Sequence, residues 1–298
     1  MALRIGVDLG GSKIALAVLG PRGEVCWERR IATPQDDYPA ILEAVARLIA
    51  AAEADVGARC SVGIGTPGAI SPTSGLLRNA NTTCLNQTPF KRDLEQRLGR
   101  EVRMANDANC FALSEASDGA AKGAAAAFGV ILGTGVGGGL VIHGRLLVGA
   151  NAIGGEWGHT PLPAPLADEL PGPPCYCGRR GCIETWLSGP ALEREFARLA
   201  QRRLPADGIA ACARAGDPDA EAALQRYEQR LARGLAQVIN IVDPDVIVLG
   251  GGLSNIERWY ENVPALLPAH VFSEHVATRL LPPVHGDASG VRGAARLW

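Results

Sequence analysis

The chain has 298 residues, 47% of them hydrophobic, and a formal net charge of −2. That length and apolar content suit about two domains, each with its own core, and the near-neutral charge without a basic block offers nothing to nucleic acid or a membrane surface. Eight cysteines, mostly scattered singly, indicate a reducing compartment; with no membrane-length apolar run and no room for a signal peptide ahead of residue 4, a cytoplasmic location is expected.

Residues 3–20, LRIGVDLGGSKIALAVLG, read as a strand, a Gly-rich turn and a second strand. The turn opens into a strand, so it is neither a Walker A loop nor a dinucleotide fingerprint. It is an ordinary hairpin, or one whose Gly10, Gly11, Ser12 and Lys13 N–H groups make an anion nest. Asp8, at the end of the first strand, could face a phosphate-bound Mg²⁺ through water. A third strand covers 24–32. Ile41, Leu42, Val45, Leu48 and Ile49 predict a helix over 38–56 that packs on the sheet. CSVGIGTPGAI (60–70) is a buried strand ending in the turn at Pro67-Gly68. Residues 71–90 form a loop whose Asn79, Asn81 and Asn86 are turn residues or readers of sugar hydroxyls. A short helix follows over 90–98.

EVRMANDANCFALSEASDG begins with a strand (101–105), and a helix starts at once beyond it. Asp107 is therefore an N-cap candidate. The same geometry puts its carboxylate in the crevice where open α/β sheets bind ligands, with the helix dipole favouring the ionised form. The neighbouring Asn106 is a natural hydroxyl reader. An Ala/Gly-rich stretch (119–127) marks a boundary. FGVILGTGVGGGLVIHG (128–144) then repeats the strand, Gly-rich turn and strand of the N-terminus, which suggests two related lobes. Helices are predicted over 189–202 and 219–241, the second on the spacing of Leu224, Leu231, Leu235 and Val238, and Asp243-Pro244 stops it. DVIVLGGGLS (245–254) is a buried strand opening on Gly250, Gly251 and Gly252, flat backbone that could lie against a purine. HGDASGVRGAARLW supplies a last short helix.

The loop over 154–184 carries the most specific signal. His159, Cys175, Cys177 and Cys182 are three thiolates and an imidazole, a set that Zn²⁺ takes in closed tetrahedral structural sites. Unrelated buried cysteines are the plainer reading, and a disulfide would leave one cysteine unpaired. Glu156 and Glu184 flank the cluster, so folding around a metal would bring both carboxylates toward His159. Six prolines between His159 and Cys175 leave the path of that segment open.

Taken in order, DLGGSK, NANTT, NDANC, LGTGVGGG, GEWGH, CYCGRRGCIE, DPDVIVLGGGLS and HGDASGVRGAA resemble the ROK family of sugar kinases and repressors along essentially the whole chain. The resemblance implies an α/β, two-lobed, actin-like ATPase fold of the duplicated RNase H-like kind, with a structural zinc loop. One lobe would hold residues 1–118 and 287–298, the other 119–286. ATP would be touched by Asp8, Gly10, Gly11, Ser12 and Lys13 from one side. From the other it would meet Gly133, Thr134, Gly135, Gly250, Gly251 and Gly252. The sugar would be held by Gly68, Asn81, Asn106, Asp107, Glu156, His159 and Glu184, with Asp107 the catalytic base, Mg²⁺ on the phosphates and Zn²⁺ on His159, Cys175, Cys177 and Cys182. A hexose and ATP are the expected partners, without nucleic acid or membrane, and a homodimer is expected. The few residues ahead of the first strand leave no place for the recognition helix of the family's repressors; a non-catalytic sugar sensor is the alternative of another class. Within the family, NANTTCLNQTPF looks most like the fructokinase branch, so fructose phosphorylated on its primary 6-hydroxyl is expected, with mannose or glucose weaker. N-acetylglucosamine kinase is the next reading, on NDANCFALSEA and LGTGVGGGL.

Overall fold

The computed structural model describes residues 3–80 and 82–298; Asn81, one of the expected sugar contacts, lies outside the described residues. Strands β1 (Arg4–Leu9), β2 (Lys13–Leu19) and β3 (Val25–Ala32) form an antiparallel meander. Helix α1 (Tyr38–Val56) returns the chain to β4 (Ser61–Thr66), parallel to β1. It begins where the Asp37 carboxylate accepts the Ala40 N–H at 2.9 Å, and it buries Ile41, Val45, Leu48 and Ile49 on the face their spacing predicts. A short hairpin of β5 (Ala69–Ile70) and β6 (Leu77–Arg78) and then α2 (Phe90–Leu98) lead to β7 (Arg103–Asn106), parallel to β4. The sheet order is β3-β2-β1-β4-β7.

Beyond α3 (Asp107–Asp118) the same winding is built again. Strands β8 (Ala126–Leu132), β9 (Val136–Ile142) and β10 (Arg145–Leu146) form a second meander. Helices α4 (Glu184–Leu187), α5 (Gly189–Ala200), α6 (Ala206–Arg214) and α7 (Pro218–Val242) precede β11 (Val246–Gly250), which runs parallel to β8. Helix α8 (Trp259–Leu266) leads to β12 (Arg279–Leu281), parallel to β11, and α9 (Ser289–Ala295) closes the chain. The order β10-β9-β8-β11-β12 repeats that of the first sheet strand for strand, which is the duplicated, actin-like architecture. Each sheet has its own apolar core. One is built on Ile5, Val7, Val45 and Ile64, the other on Phe128, Phe196, Leu224 and Trp259. No described helix is long and apolar enough to cross a membrane.

Helix α9 packs on β1 and β4 of the first sheet, and α3 packs on α9 as well as on β8 and β9 of the second. This layer is held by glycines at backbone contacts. A Cβ on Gly6 would lie 1.9 Å from the Val291 carbonyl oxygen, one on Gly63 1.8 Å from that of Ala294, and one on Gly293 1.7 Å from that of Cys110. Relief at such a position requires moving a helix, since no flexible side chain can give way. Gly63→Ala is therefore expected to cost about 3 kcal/mol or more, above the usual range for overpacking. Urea unfolding checks this, and an unchanged midpoint would refute the close-packing account.

The proline-rich segment takes a defined path. Glu169, 3% exposed, accepts bonds from Arg230 Nε at 2.8 Å and Arg233 Nη2 at 2.8 and 2.9 Å, both arginines on α7. Its other role is to accept the Leu166 N–H at 2.8 Å. Arg233 also donates to the Pro163 and Ala164 carbonyls, at 3.3 and 2.5 Å. Removing one partner of such a buried pair typically costs about 3–5 kcal/mol, so this pairing fixes the segment firmly on α7.

Candidate active site

The candidate residues converge where β7 gives way to α3. The cap of that helix is Asn106, and this corrects the expectation for Asp107. Asn106 Oδ1 accepts the Asn109 N–H at 2.7 Å, while Asp107 is the first helical residue and its Oδ1 accepts the Ala108 N–H at 2.8 Å. The Asp107 residue is exposed. Desolvation of the carboxylate by the neighbouring protein raises its pKa, with the N–H groups of Ala108 and Asp107 pulling the other way. The net direction is opposite to the one the helix dipole alone suggested. Asp8, ending β1, is pushed up to about 6, by burial first and then by the Asp107 charge.

Glycines in β9 bring the other carboxylates to this point. A Cβ on Gly139 would lie 2.8 Å from the Ala108 carbonyl, so the bare strand lets the first turn of α3 settle on it. Gly155 has φ +92° and approaches Gly138 so closely that a Cβ would lie 2.5 Å from its carbonyl. Trp157 Nε1 donates to the Gly137 carbonyl at 3.0 Å. Thus the GVGGG run, expected only as a phosphate turn, also seats the segment carrying Glu156 and His159. Asn106 Nδ2 lies 3.5 Å from Glu156 Oε1. Burial raises the Glu156 pKa, which His159 opposes and Asp107 and Glu184 reinforce. Glu184, the first residue of α4, accepts the Val136 N–H at 3.0 Å through Oε2.

The two Gly-rich turns differ from the simple nests expected. At the first, the Gly10 N–H is closed on the Lys13 carbonyl at 2.9 Å and is not free for a phosphate, while Gly11, Ser12 and Lys13 remain exposed. At the second, the Gly133 N–H turns inward to the Gly135 carbonyl at 3.0 Å and Thr134 stays exposed. Gly133, Thr134 and Gly252 line a cavity of about 580 Å³ with the start of α5, including Pro190 and Glu193, and with α6. Gly251, with φ +79°, turns the chain at its edge. Gly250 is elsewhere: a Cβ there would lie 2.5 Å from the Phe111 ring, so it serves packing. Gly68, with φ +76°, is pressed against the Arg78 carbonyl, where a Cβ would lie at 2.2 Å. The loop amides also depart from expectation. Asn86 is spent on Ala80, accepting its N–H at 2.8 Å and donating to its carbonyl at 2.9 Å, and Asn79 sits exposed at φ +60°.

The ligand atoms of His159, Cys175, Cys177 and Cys182 all lie within 4.8 Å of one another. Tetrahedral bonds of about 2.3 Å to sulfur and about 2.0 Å to nitrogen put two sulfurs roughly 3.8 Å apart and a sulfur and nitrogen roughly 3.5 Å apart. Here Cys177 Sγ and Cys182 Sγ are 3.6 Å apart, and Cys175 Sγ and His159 Nδ1 are 3.5 Å apart. The donors fit a structural metal, and the sulfur separation is far too long for a disulfide. The residue missed in the sequence is Tyr176. It is 76% exposed, and its Oη lies 2.8 Å from His159 Nε2, so the second ring nitrogen is not free. Its place between two ligand cysteines was the available signal. Glu193 and the α6 wall had none, because only tertiary packing brings them to the cavity.

A sequence model described as the ROK family matches residues 4–298. The chain belongs to the ROK family. It is 42% identical over 296 residues to an N-acetyl-D-glucosamine kinase of Yersinia pseudotuberculosis serotype O:1b, covering 98% of this chain and 97% of that protein. Its fold matches the ROK hexokinase of Thermus thermophilus with a TM-score of 0.88 at 34% identity, over 98% of this chain and 96% of that one. It also matches a ROK glucokinase of Streptomyces griseus in complex with glucose and AMPPNP, with a TM-score of 0.79 at 29% identity over 99% and 98%. The chain is accordingly an ATP-dependent sugar phosphotransferase of this family, as its motifs implied.

Proposed function

We propose that this chain transfers the γ-phosphate of ATP to the primary 6-hydroxyl of N-acetyl-D-glucosamine, the reading that the sequence placed second to fructose. The observation that carries it is how Asn79 and Asn86 are held. The fructose reading needs amides that close on bare hydroxyls, but Asn86 is turned onto Ala80 through both its oxygen and its nitrogen and Asn79 is held as an exposed turn residue. Amides occupied in this way do not fill the space an acetamide requires. The end-to-end similarity to the Yersinia kinase supports the same choice.

Phosphoryl transfer passes through a largely dissociative transition state, so positioning and charge stabilisation dominate. The nucleoside would occupy the cavity beside Gly133, Thr134 and Gly252, with its phosphates reaching toward Gly11, Ser12 and Lys13. Asp8, with the Asp107 charge beside it, is suited to hold a hydrated Mg²⁺, which would neutralise the phosphate oxygens. Asn106, Glu156 and Glu184 would orient the sugar, and a sugar hydroxyl would replace Tyr176 Oη on His159 Nε2. One Asp107 oxygen is fixed by the Ala108 N–H, which leaves the other to accept the proton of the 6-hydroxyl. Its raised pKa makes it a stronger base than a free aspartate at neutral pH. Closure of the lobes would exclude water as a competing acceptor.

The test is kcat/KM for N-acetylglucosamine against fructose and glucose with ATP and Mg²⁺ on one preparation. A site that pairs the acetamide should favour its sugar by about 10²-fold or more. A preference for fructose would restore the first reading and leave the kinase assignment intact.

A further inference from the structure

A second cavity, of about 300 Å³, lies between α4, α5, α7 and the proline-rich segment. Four arginines line it, Arg194, Arg198, Arg226 and Arg230, with Glu195 and Asp168 as the only acidic members. None of these residues belongs to the candidate active site. The lining therefore carries a formal charge of +2. Glu169, which bonds Arg230 from behind, is matched by Arg233 and does not cancel this excess.

The key group is Arg230, 2% exposed. Nε is bonded to Glu169 at 2.8 Å and Nη1 to Glu195 at 3.2 Å, but Nη2 has no hydrogen-bond partner among the described residues. A buried guanidinium N–H left unpaired is costly, so a ligand or water that accepts from it is favoured. Around it, Arg198 is bonded to Glu195 and Arg226 to Asp168 at 2.7 Å each, pairs with one exposed partner that can exchange for a doubly charged anion, while Arg226 Nε is also held by Glu195 at 2.9 Å. Arg194 is fixed by donating to the Thr185 carbonyl at 2.8 Å.

We infer that this cavity is an anion site for a phosphate group, either free phosphate or the phosphate of a small monoester. A dianion matches the excess charge, and guanidinium forks match phosphate oxygens. The volume is at the lower limit of small-molecule pockets, which suits phosphate or a hexose phosphate.

The test is calorimetric titration of the full chain with inorganic phosphate, with AMPPNP and Mg²⁺ present at saturation so that phosphate positions in the cleft are filled. One phosphate per chain with a Kd of about 1 mM or tighter is expected. Arg198→Glu, on an exposed side chain, is expected to weaken this at least tenfold while leaving kcat unchanged, and Arg194→Gln to weaken it less. A parallel titration with glucose 6-phosphate separates the two sources. Tighter binding than phosphate assigns the site to a monoester, and weaker binding to free phosphate. No saturable binding, or equal binding by wild type and Arg198→Glu, would overturn the site.

Discussion

Asp107→Asn is expected to lower kcat by about 10²–10⁴-fold, the range for loss of a general base. The amide is nearly isosteric and keeps an oxygen for the Ala108 N–H, and the cap of α3 belongs to Asn106, so the helix should be untouched. Had Asp107 been the cap, loss of stability and loss of activity would be entangled. Here they separate: unfolding midpoint and sugar affinity stay close to wild type while turnover collapses. The pH profile adds a second readout. Desolvation raises the pKa of Asp107, and Asp8 beside it is pushed up to about 6. Both groups act as carboxylates, so kcat/KM should fall as pH drops through about 6, well above the range of ordinary aspartates. Near-normal turnover in Asp107→Asn would remove Asp107 from the chemistry.

Most of the architecture could be read from local pattern. The apolar spacing over α1 and α7 placed both helices almost to the residue, because α1 buries one stripe on the first sheet and the leucines of α7 join the second core. The echo of DLGGSK in LGTGVGGG foretold two sheets of one winding. What escaped was set by contacts between distant segments. Whether a glycine serves a ligand or a close backbone approach depends on what faces it, and the sequence places neither the Phe111 ring at Gly250 nor α3 at Gly139. The same holds for amides. Asn86 looked available for a sugar, but its partner, Ala80, is a backbone group that no pattern advertises. The cap at Asn106 was a local feature missed by one residue, since Asn and Asp both cap well and stand side by side.

Removal of the metal is the other change with a large expected effect. Purified protein should contain one Zn²⁺ per chain, lost in Cys177→Ser, since three donors hold zinc far less tightly than the closed set of four. In small zinc fingers the ion supplies about 10–16 kcal/mol of apparent binding energy, and the peptide unfolds without it. The consequence here should be local, because the two sheets have separate cores and the adjoining segment is held on α7 by Glu169 with Arg230 and Arg233. Three hydrogen bonds depend on the cluster directly: Cys175 N–H to the Arg179 carbonyl at 2.8 Å, Gly178 N–H to that of Cys175 at 3.0 Å, and Arg179 Nη1 to that of His159 at 3.1 Å. Freed of the metal, His159 loses the fixed Nδ1 that aims Nε2, and Glu156 and Glu184 lose the loop that orients them. Disturbing the groups that orient a site in this way commonly costs about 10–100-fold. Sugar KM should therefore rise by that factor while ATP KM changes little, because the cavity proposed for the nucleoside is walled by α5, α6 and the 252–256 turn and none of the four metal ligands lines it. Equal losses for sugar and ATP would point to global unfolding, and freshly purified protein without zinc would mean that the four residues hold the loop by packing alone.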